Sequence, residues 1–259
     1  MDEKPRLEHR YYELLWVLVR ARLASEASKQ YLHVLWWVLE PLLSLTVFYL
    51  VFGVLLQRGT SNFVDFLLVG VVAWNWFQRT VSNGIQSISS GKGLLLQVYF
   101  PKILLPIATV LQDLVKQSFV FLLLLLYLLG ASYLQMSWLA FPLIVLLQLV
   151  LVAGIAGLVA ALVPFLPDLR FVVSTGLQLL MFGSGVFYPL SAIPESLQSL
   201  FLANPVATLL HLYREVLLYG NLPALGEMAM LASYGAFFCA LAYFLLQRFD
   251  ARYPRVLTE

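Results

Sequence analysis

Apolar residues run almost unbroken through six stretches of the chain, residues 35–56, 63–81, 107–129, 139–163, 171–189 and 225–246, and polar residues gather between them. About 20 helical residues cross the hydrocarbon core of a bilayer, so each stretch predicts a transmembrane helix. Glu40-Pro41 sits one turn into the first, where proline bends a helix or marks its start. Asp65 stands at one end of the second, with Trp74, Trp76, Gln78 and Arg79 at the other, the placement of interfacial anchors. The fifth is short and carries Gly176, Gly183 and Gly185, which permit close helix packing at some cost in helix propensity.

Three segments outside these stretches have patterns of their own. Residues 1–33 read as a helix lying on the membrane, with Leu7, Tyr11, Leu14, Leu15 and Leu18 on one face and His9, Arg10, Glu13 and Arg20 elsewhere. Residues 82–106 form the largest internal polar loop, in which Asn83-Gly84 and Gly91-Lys92-Gly93 are turn signals around a short helical segment. Residues 190–222 hold two apolar stretches that are each too short to cross a bilayer. The first is 194–203. The second opens at Asn204-Pro205, an N-cap followed by proline at the first helical position, and stops at Gly220. Its roughly 14 residues reach about 21 Å, against about 30 Å of hydrocarbon, so both stretches predict re-entrant or interfacial helices. The spacing of Val206, Leu209, Leu210, Tyr213 and Leu217 buries one face of the second against a neighbour, and Arg214-Glu215 beside it reads first as a solvated pair.

Composition agrees with the pattern. Hydrophobic residues make up 61% of the 259-residue chain and charged residues only 12%, about half the share in a soluble domain. Mean hydropathy is +0.85. The expected fold is therefore all-α and integral to the membrane, a single domain over residues 1–259: six transmembrane helices, an N-terminal interfacial helix, and two short outer-face helices between spans five and six. The charged N-terminus lacks a continuous apolar stretch with a small-residue cleavage site, which predicts no cleavable signal peptide. Net charge is +2, and its placement says more than its size. Lys4, Arg6, Arg10, Arg20, Arg22 and Lys29 precede span one, and Arg248, Arg252 and Arg255 follow span six, so both termini are expected in the cytoplasm. Arg79, Lys92, Lys102 and Arg170 then fall inside, and residues 190–222 face outward.

Candidate chemistry is sparse. Gly91-Lys92-Gly93 lacks the upstream glycine and the following Ser or Thr of a phosphate-binding loop, so the chain alone is not expected to hydrolyse ATP. His9, His33 and His211 lie in separate elements, and Cys239 is the one cysteine, which leaves neither a disulfide nor a metal or catalytic motif. Within the spans, Gln112, Asp113, Lys116 and Gln117 form the main polar cluster, with Asp113 and Lys116 three residues apart and able to pair. Two readings stand: a hydrophilic wall of a translocation path, or a self-neutralised pair buried between helices. Only Glu40 and Asp113 are acids at such depth, too few for a proton relay. The 18 Phe, 13 Tyr and 6 Trp offer faces on which sugar rings stack, although belt and packing roles account for most of them.

Five blocks in order carry a family likeness: WWVLEPLLSLTVFYLVFGVLL at 36–56, GVVAWNWF at 70–77, VYFPKILLP at 98–106, GVFYPLSAIP at 185–194 and NPVATLLHLYREVLLYG at 204–220. With these the chain resembles, nearly end to end, the ABC-2 type permeases of polysaccharide export, the O-antigen and capsule exporters. Leu32-His33 stands where that family commonly has a Leu-Gly step. The resemblance implies a homodimer in the bacterial inner membrane with two copies of a separate ATPase subunit, which would bind ATP and Mg, none being expected on this chain. It also implies a lipid-linked glycan as cargo and no nucleic-acid partner. It assigns residues 86–100 to a coupling helix docked in the ATPase, with Gln86, Lys92, Tyr99, Phe100 and neighbouring Lys102 at that contact. The 1–33 helix and the 164–170 turn are further contact candidates, and the helix is a candidate for lateral access of the lipid anchor. A path between protomers would be lined by Gln112, Asp113, Lys116, Trp74 and Tyr188. The outer helices would be gates carrying Asn204, Tyr213 and Arg214. A drug or lipid permease of the same type shares the fold. A membrane glycosyltransferase would need clustered acids or bases at a membrane surface, and a scaffold would have no use for the outer helices.

Overall fold

The computed structural model describes residues 4–29, 39, 42–43, 46–47, 49–55, 62–95, 97–98 and 100–256, and among these every regular element is helical. Helix α1 spans Lys4–Lys29. The expected first span, 35–56, is described in part, and its described end is a π-helical stretch, Tyr49–Leu55. Then come α2 (Phe63–Gln86), α3 (Leu104–Gly130), α4 (Phe141–Leu162) and α5 (Leu169–Gly183). The short α6 (Glu195–Leu202) and α7 (Pro205–Arg214) precede α8 (Leu225–Phe249). Among the described residues, three helical stretches are long and apolar enough to cross a membrane: α3, α4 with the turn before it (Met136–Leu162), and α8.

Helix α2 runs through the centre. A helix that is apolar all round is buried all round, and from Phe66 to Ala73 every residue of α2 is buried, as are Trp74, Trp76 and Phe77. Its neighbours tie to it with amides. Gln117 of α3 donates to the Val72 carbonyl (3.4 Å), and Gln148 of α4 donates to the Ala73 carbonyl (2.9 Å). The Gln148 oxygen accepts the Tyr213 hydroxyl of α7 at 2.7 Å, so one fully buried glutamine joins three helices. Trp76, Phe121, Phe141 and Tyr213 close a ring of aromatic contacts around this point, at centroid distances of 5.2–5.9 Å.

Helices α4 and α8 pack closest, and small residues let them. A Cβ at Gly154 would fall 2.7 Å from the Cys239 nitrogen and from Phe238 Cβ, and one at Gly235 would fall 2.9 Å from Val150 Cγ1. The expectation that Gly176 and Gly183 serve close packing is corrected, because a Cβ at either would meet nothing within 4 Å. Helix α5 is instead a lightly packed 15-residue helix, roughly 22 Å long. The 171–189 span is also corrected. The helix stops at Gly183 and the chain turns at Gly185, whose φ of +69° suits only glycine.

Helix α7 follows its sequence signals. Asn204 caps it, its side chain accepting from the Val206 amide at 3.0 Å, and Pro205 opens it. It continues as a π-helix over Glu215–Tyr219 and ends at Gly220, φ +75°. Val206, Leu209, Leu210, Tyr213 and Leu217 are at most 1% exposed. Ser137 and Trp138, from the turn before α4, donate to the Val216 and Leu217 carbonyls (2.7 and 3.3 Å) that this terminus leaves free.

A second, smaller core sits at the opposite end. Ile88, Phe100, Leu105, Leu246 and Tyr253 are buried together, with Tyr11, Leu14 and Leu18 of α1 packed against them. The side expected to be the apolar face of α1 thus covers the 82–106 loop. Asp250 accepts from both the backbone and the ammonium of Lys102 (2.9 and 3.1 Å), and the Tyr253 hydroxyl donates to the Ala161 carbonyl at 3.1 Å.

Gly154→Leu is expected to push α4 from α8 and cost about 1–3 kcal/mol, the usual range for overpacking, whereas Gly226→Leu, where a Cβ would meet nothing within 4 Å, is expected to be neutral. Thermal denaturation of the purified protein in detergent distinguishes them.

Candidate translocation and coupling sites

The polar cluster on α3 is built into a larger network. Asp113 lies 3.6 Å from Lys116, so the pairing expected from their spacing is present. Asn83 of α2 donates to both Asp113 oxygens, at 3.1 and 2.9 Å. Lys116 also pairs with Glu26 of α1. Arg22, one turn earlier on α1, donates to the Thr109 hydroxyl and reaches the Leu105 and Ser87 carbonyls at 3.4 Å. Arg22 and Lys116 face Asp113 and Glu26 here, and Arg79 also acts on Asp113, where isolated charge is costly. Burial lowers the Arg22 pKa from its ordinary value, and the carboxylates of Asp113 and Glu26 act in the opposite sense. Gln112, Asp113 and Lys116 are 6%, 2% and 4% exposed, and Trp74 is 1% exposed. All four face other helices of their own chain, and Trp74 donates to the Gln78 side chain at 2.8 Å. Sequence reasoning missed Arg22 and Glu26 as partners, although their i, i+4 spacing on one face of α1 was a usable signal.

The coupling residues divide into two sets. Gln86 and Lys92 are exposed, as are Gln97 and Val98 near them. Phe100 and Lys102 point inward, 1% and 3% exposed, into the small core and onto Asp250. Tyr99 lies outside the described residues.

At the other end, the three gate residues sit on one helix and make different bonds. Asn204 donates to the Gly183 carbonyl (3.3 Å) and the Ser184 hydroxyl (2.9 Å), joining the start of α7 to the end of α5. Tyr213 is bound to Gln148, as above. Arg214 is not half of a solvated pair, and that expectation is corrected. It is 5% exposed and donates to the carbonyls of Phe66 (3.3 Å), Gly185 (2.7 Å) and Val186 (2.9 Å). Its guanidinium stacks 3.5 Å from the Phe66 ring centroid. A Cβ at Gly70 would overlap the same guanidinium. A planar fork of donors suits three convergent carbonyls and an aromatic face, which no other side chain combines. Glu215 turns away toward His211, 3.8 Å distant, and Asn221.

Beside this lock lies a cavity of about 680 Å³, walled by Phe63, Phe66, Phe187, Tyr188, Tyr133 and Tyr219 with Asn62 and Ser191. Tyr188, the path residue predicted here, donates its hydroxyl to the Phe182 carbonyl at 2.8 Å. Tyr127 and Tyr133 donate to the two oxygens of Asp65, at 2.7 and 2.8 Å. Burial first, and then the bond to Asp65, pushes the Tyr133 pKa up to about 12. A smaller cavity of about 380 Å³ adjoins it through Phe66, Tyr188, Ser191 and Tyr219, with Arg214, His211 and Glu215 in its wall.

Comparison with known proteins agrees with this architecture. The O-antigen export system permease protein RfbA of Myxococcus xanthus is 35% identical over 230 residues, 87% of this chain and 88% of the relative. The RfbA permease of Klebsiella pneumoniae is 26% identical over 216 residues, 82% of each chain. The polysialic acid transport protein KpsM of Escherichia coli is 27% identical over 221 residues, 81% of this chain and 84% of its own. Residues 13–218 match the profile of the ABC-2 type transporters, and the chain belongs to that family.

Proposed function

We propose that this chain is the permease subunit of an ATP-driven exporter that moves O-antigen or capsular polysaccharide, carried on a lipid, across the bacterial inner membrane. The observation that carries the reading is likeness over most of the chain to permeases of O-antigen and polysialic acid export, at up to 35% identity. In this reading residues 35–56 supply the first of six spans, both termini are cytoplasmic, and α6 and α7 lie at the outer face. The basic residues flanking the spans support that orientation. Two copies enclose the path and bind two ATPase subunits, which hold ATP and Mg. The open face of α5, where Phe171, Val172, Leu179 and Phe182 are all more than 60% exposed, supports pairing with a second copy.

The mechanism follows from how the two ends are fastened. ATPase closure pushes on the exposed part of the 82–106 loop. The loop shares a core with α1 and the C-terminal segment, so the push moves them as one body. The charged network carries that motion into α3 and α2. Gln112, Asp113, Lys116 and Trp74 act behind the path wall, keeping helices in register, while Tyr188 belongs to the lining. Helix α7, held to α2 and the α5 elbow by Arg214, is the gate at the far end.

Deleting the gene alone and complementing it tests the reading. Loss of surface polysaccharide with glycan retained inside the cell is the expected result, and an unchanged surface with altered lipid or drug efflux would overturn it. Lys92→Glu with Val98→Asp is expected to abolish ATPase binding in co-purification while the melting temperature holds, whereas Phe100→Asp is expected to unfold the small core. Arg214→Met is expected to cost about 3 kcal/mol in thermal stability, since three buried carbonyls lose a charged donor, and to impair export.

A further inference from the structure

The cavity beside the Arg214 lock has a wall chemistry that selects among ligands. Its aromatic rings are held in place from behind. Tyr133 is tied through its hydroxyl to Asp65 at 2.8 Å, Tyr188 to the Phe182 carbonyl at 2.8 Å, and Phe66 is backed by the Arg214 guanidinium. Tyrosine hydroxyls spent in this way leave ring faces as fixed platforms. An aromatic face carries negative quadrupole density, which attracts the weakly positive C–H faces of a pyranose. At the rim, the Asn62 amide and the Ser191 hydroxyl, both on exposed residues, can bond a hydroxylated edge. A sugar ring is apolar on its faces and polar at its edge, so it fits both features. An acyl chain would set Asn62 and Ser191 against hydrocarbon without partners, which is unfavourable. The volume of about 680 Å³ lies inside the roughly 300–1,000 Å³ range of sites for small organic ligands.

Charge narrows the class further. Among the described residues, no Lys, Arg or His lines this cavity. The Asp65 carboxylate stands behind Tyr133, with both oxygens occupied by tyrosines. In the adjoining cavity Arg214 is committed to three carbonyls, and His211 faces the carboxylates of Glu215 and Glu227, 3.8 and 4.0 Å away. Among the described residues, an anionic sugar would meet no cation here that is not already committed to other groups.

We infer that the cavity bounded by Phe63, Phe66, Tyr133, Tyr188 and Tyr219 is a binding site for a short, uncharged pyranose segment of the outgoing glycan. The inference rests on the exporter reading above and adds to it a place and a charge class for the cargo. It separates this chain from an exporter of a polyanion, which would need a basic wall at the same place.

Ala192→Cys, in a background with Cys239→Ala, puts a single exposed thiol in the cavity wall for a membrane-impermeant maleimide. Labelling is compared in cells that make the glycan and in cells lacking its first glycosyltransferase, with surface glycan measured in parallel. The expected result is normal surface glycan and labelling slowed several-fold only in the producing cells. That protection is expected to persist with Tyr219→Phe and to disappear with Tyr219→Ala. Equal labelling rates with normal surface glycan would overturn the site and leave the exporter reading intact. Absence of labelling in both strains would also overturn it, since the cavity would not open outward. Absence of surface glycan in the complemented strain would instead contradict the exporter reading itself. Sugar analysis of the exported polymer checks the charge class: neutral repeats are expected, and an acidic residue in every repeat would overturn it.

Discussion

Backbone amides and carbonyls in hydrocarbon have no water to bond, so a helix that cannot cross the bilayer must find protein partners for its open ends. Helix α7 and its π-helical extension together reach roughly 22 Å, short of the hydrocarbon thickness. The structure around them supplies partners for both of their ends. Asn204 covers the first amides and Gly220 turns the chain away. Ser137 and Trp138 supply donors to the last carbonyls. Arg214 then serves carbonyls that are not its own, at the start of α2 and at the elbow after α5. The start of α2 and the elbow after α5 are thus held by one side chain. A buried guanidinium is an expensive fastener, and its removal strands several carbonyls together.

The opposite end answers a different problem. Four charges from α1 and α3 lie where none is stable alone, and they are arranged so that each carboxylate has a cationic partner. The consequence is mechanical. Helix α1 cannot shift by itself without separating Glu26 from Lys116 and Arg22 from Thr109. The 82–106 loop is bound into the same end through Phe100 and through Lys102 on Asp250. Between the ends, α2 is gripped by Gln117, Gln148 and a ring of aromatics. A push at one end therefore meets a continuous rigid path to the other.

The chain announced its helices because long apolar runs and the caps of α7 are local signals. Helices α2, α3, α4 and α8 fall where the apolar stretches are, and Asn204, Pro205 and Gly220 mark α7 to the residue. What the sequence could not announce depends on neighbours. Gly154 and Gly235 look no different from Gly176 in one dimension, yet only the first two meet another helix. Arg214-Glu215 has the sequence look of a surface pair, and only the approach of Phe66 and Gly185 makes Arg214 a buried lock. Lys102 had a visible role as an inside charge, while its partner Asp250 lies 148 residues away. The cavity wall draws on four separate segments, none of which carries a motif for it.

Reconstitution tests the central claim most directly. Purified chain and its ATPase subunit would be placed in liposomes loaded with the lipid-linked glycan, and glycan appearing on the far side of the membrane would be measured with and without ATP. The account predicts ATP-dependent passage only when both proteins are present. Passage driven by this chain alone, or none with both proteins folded and bound to each other, would contradict it.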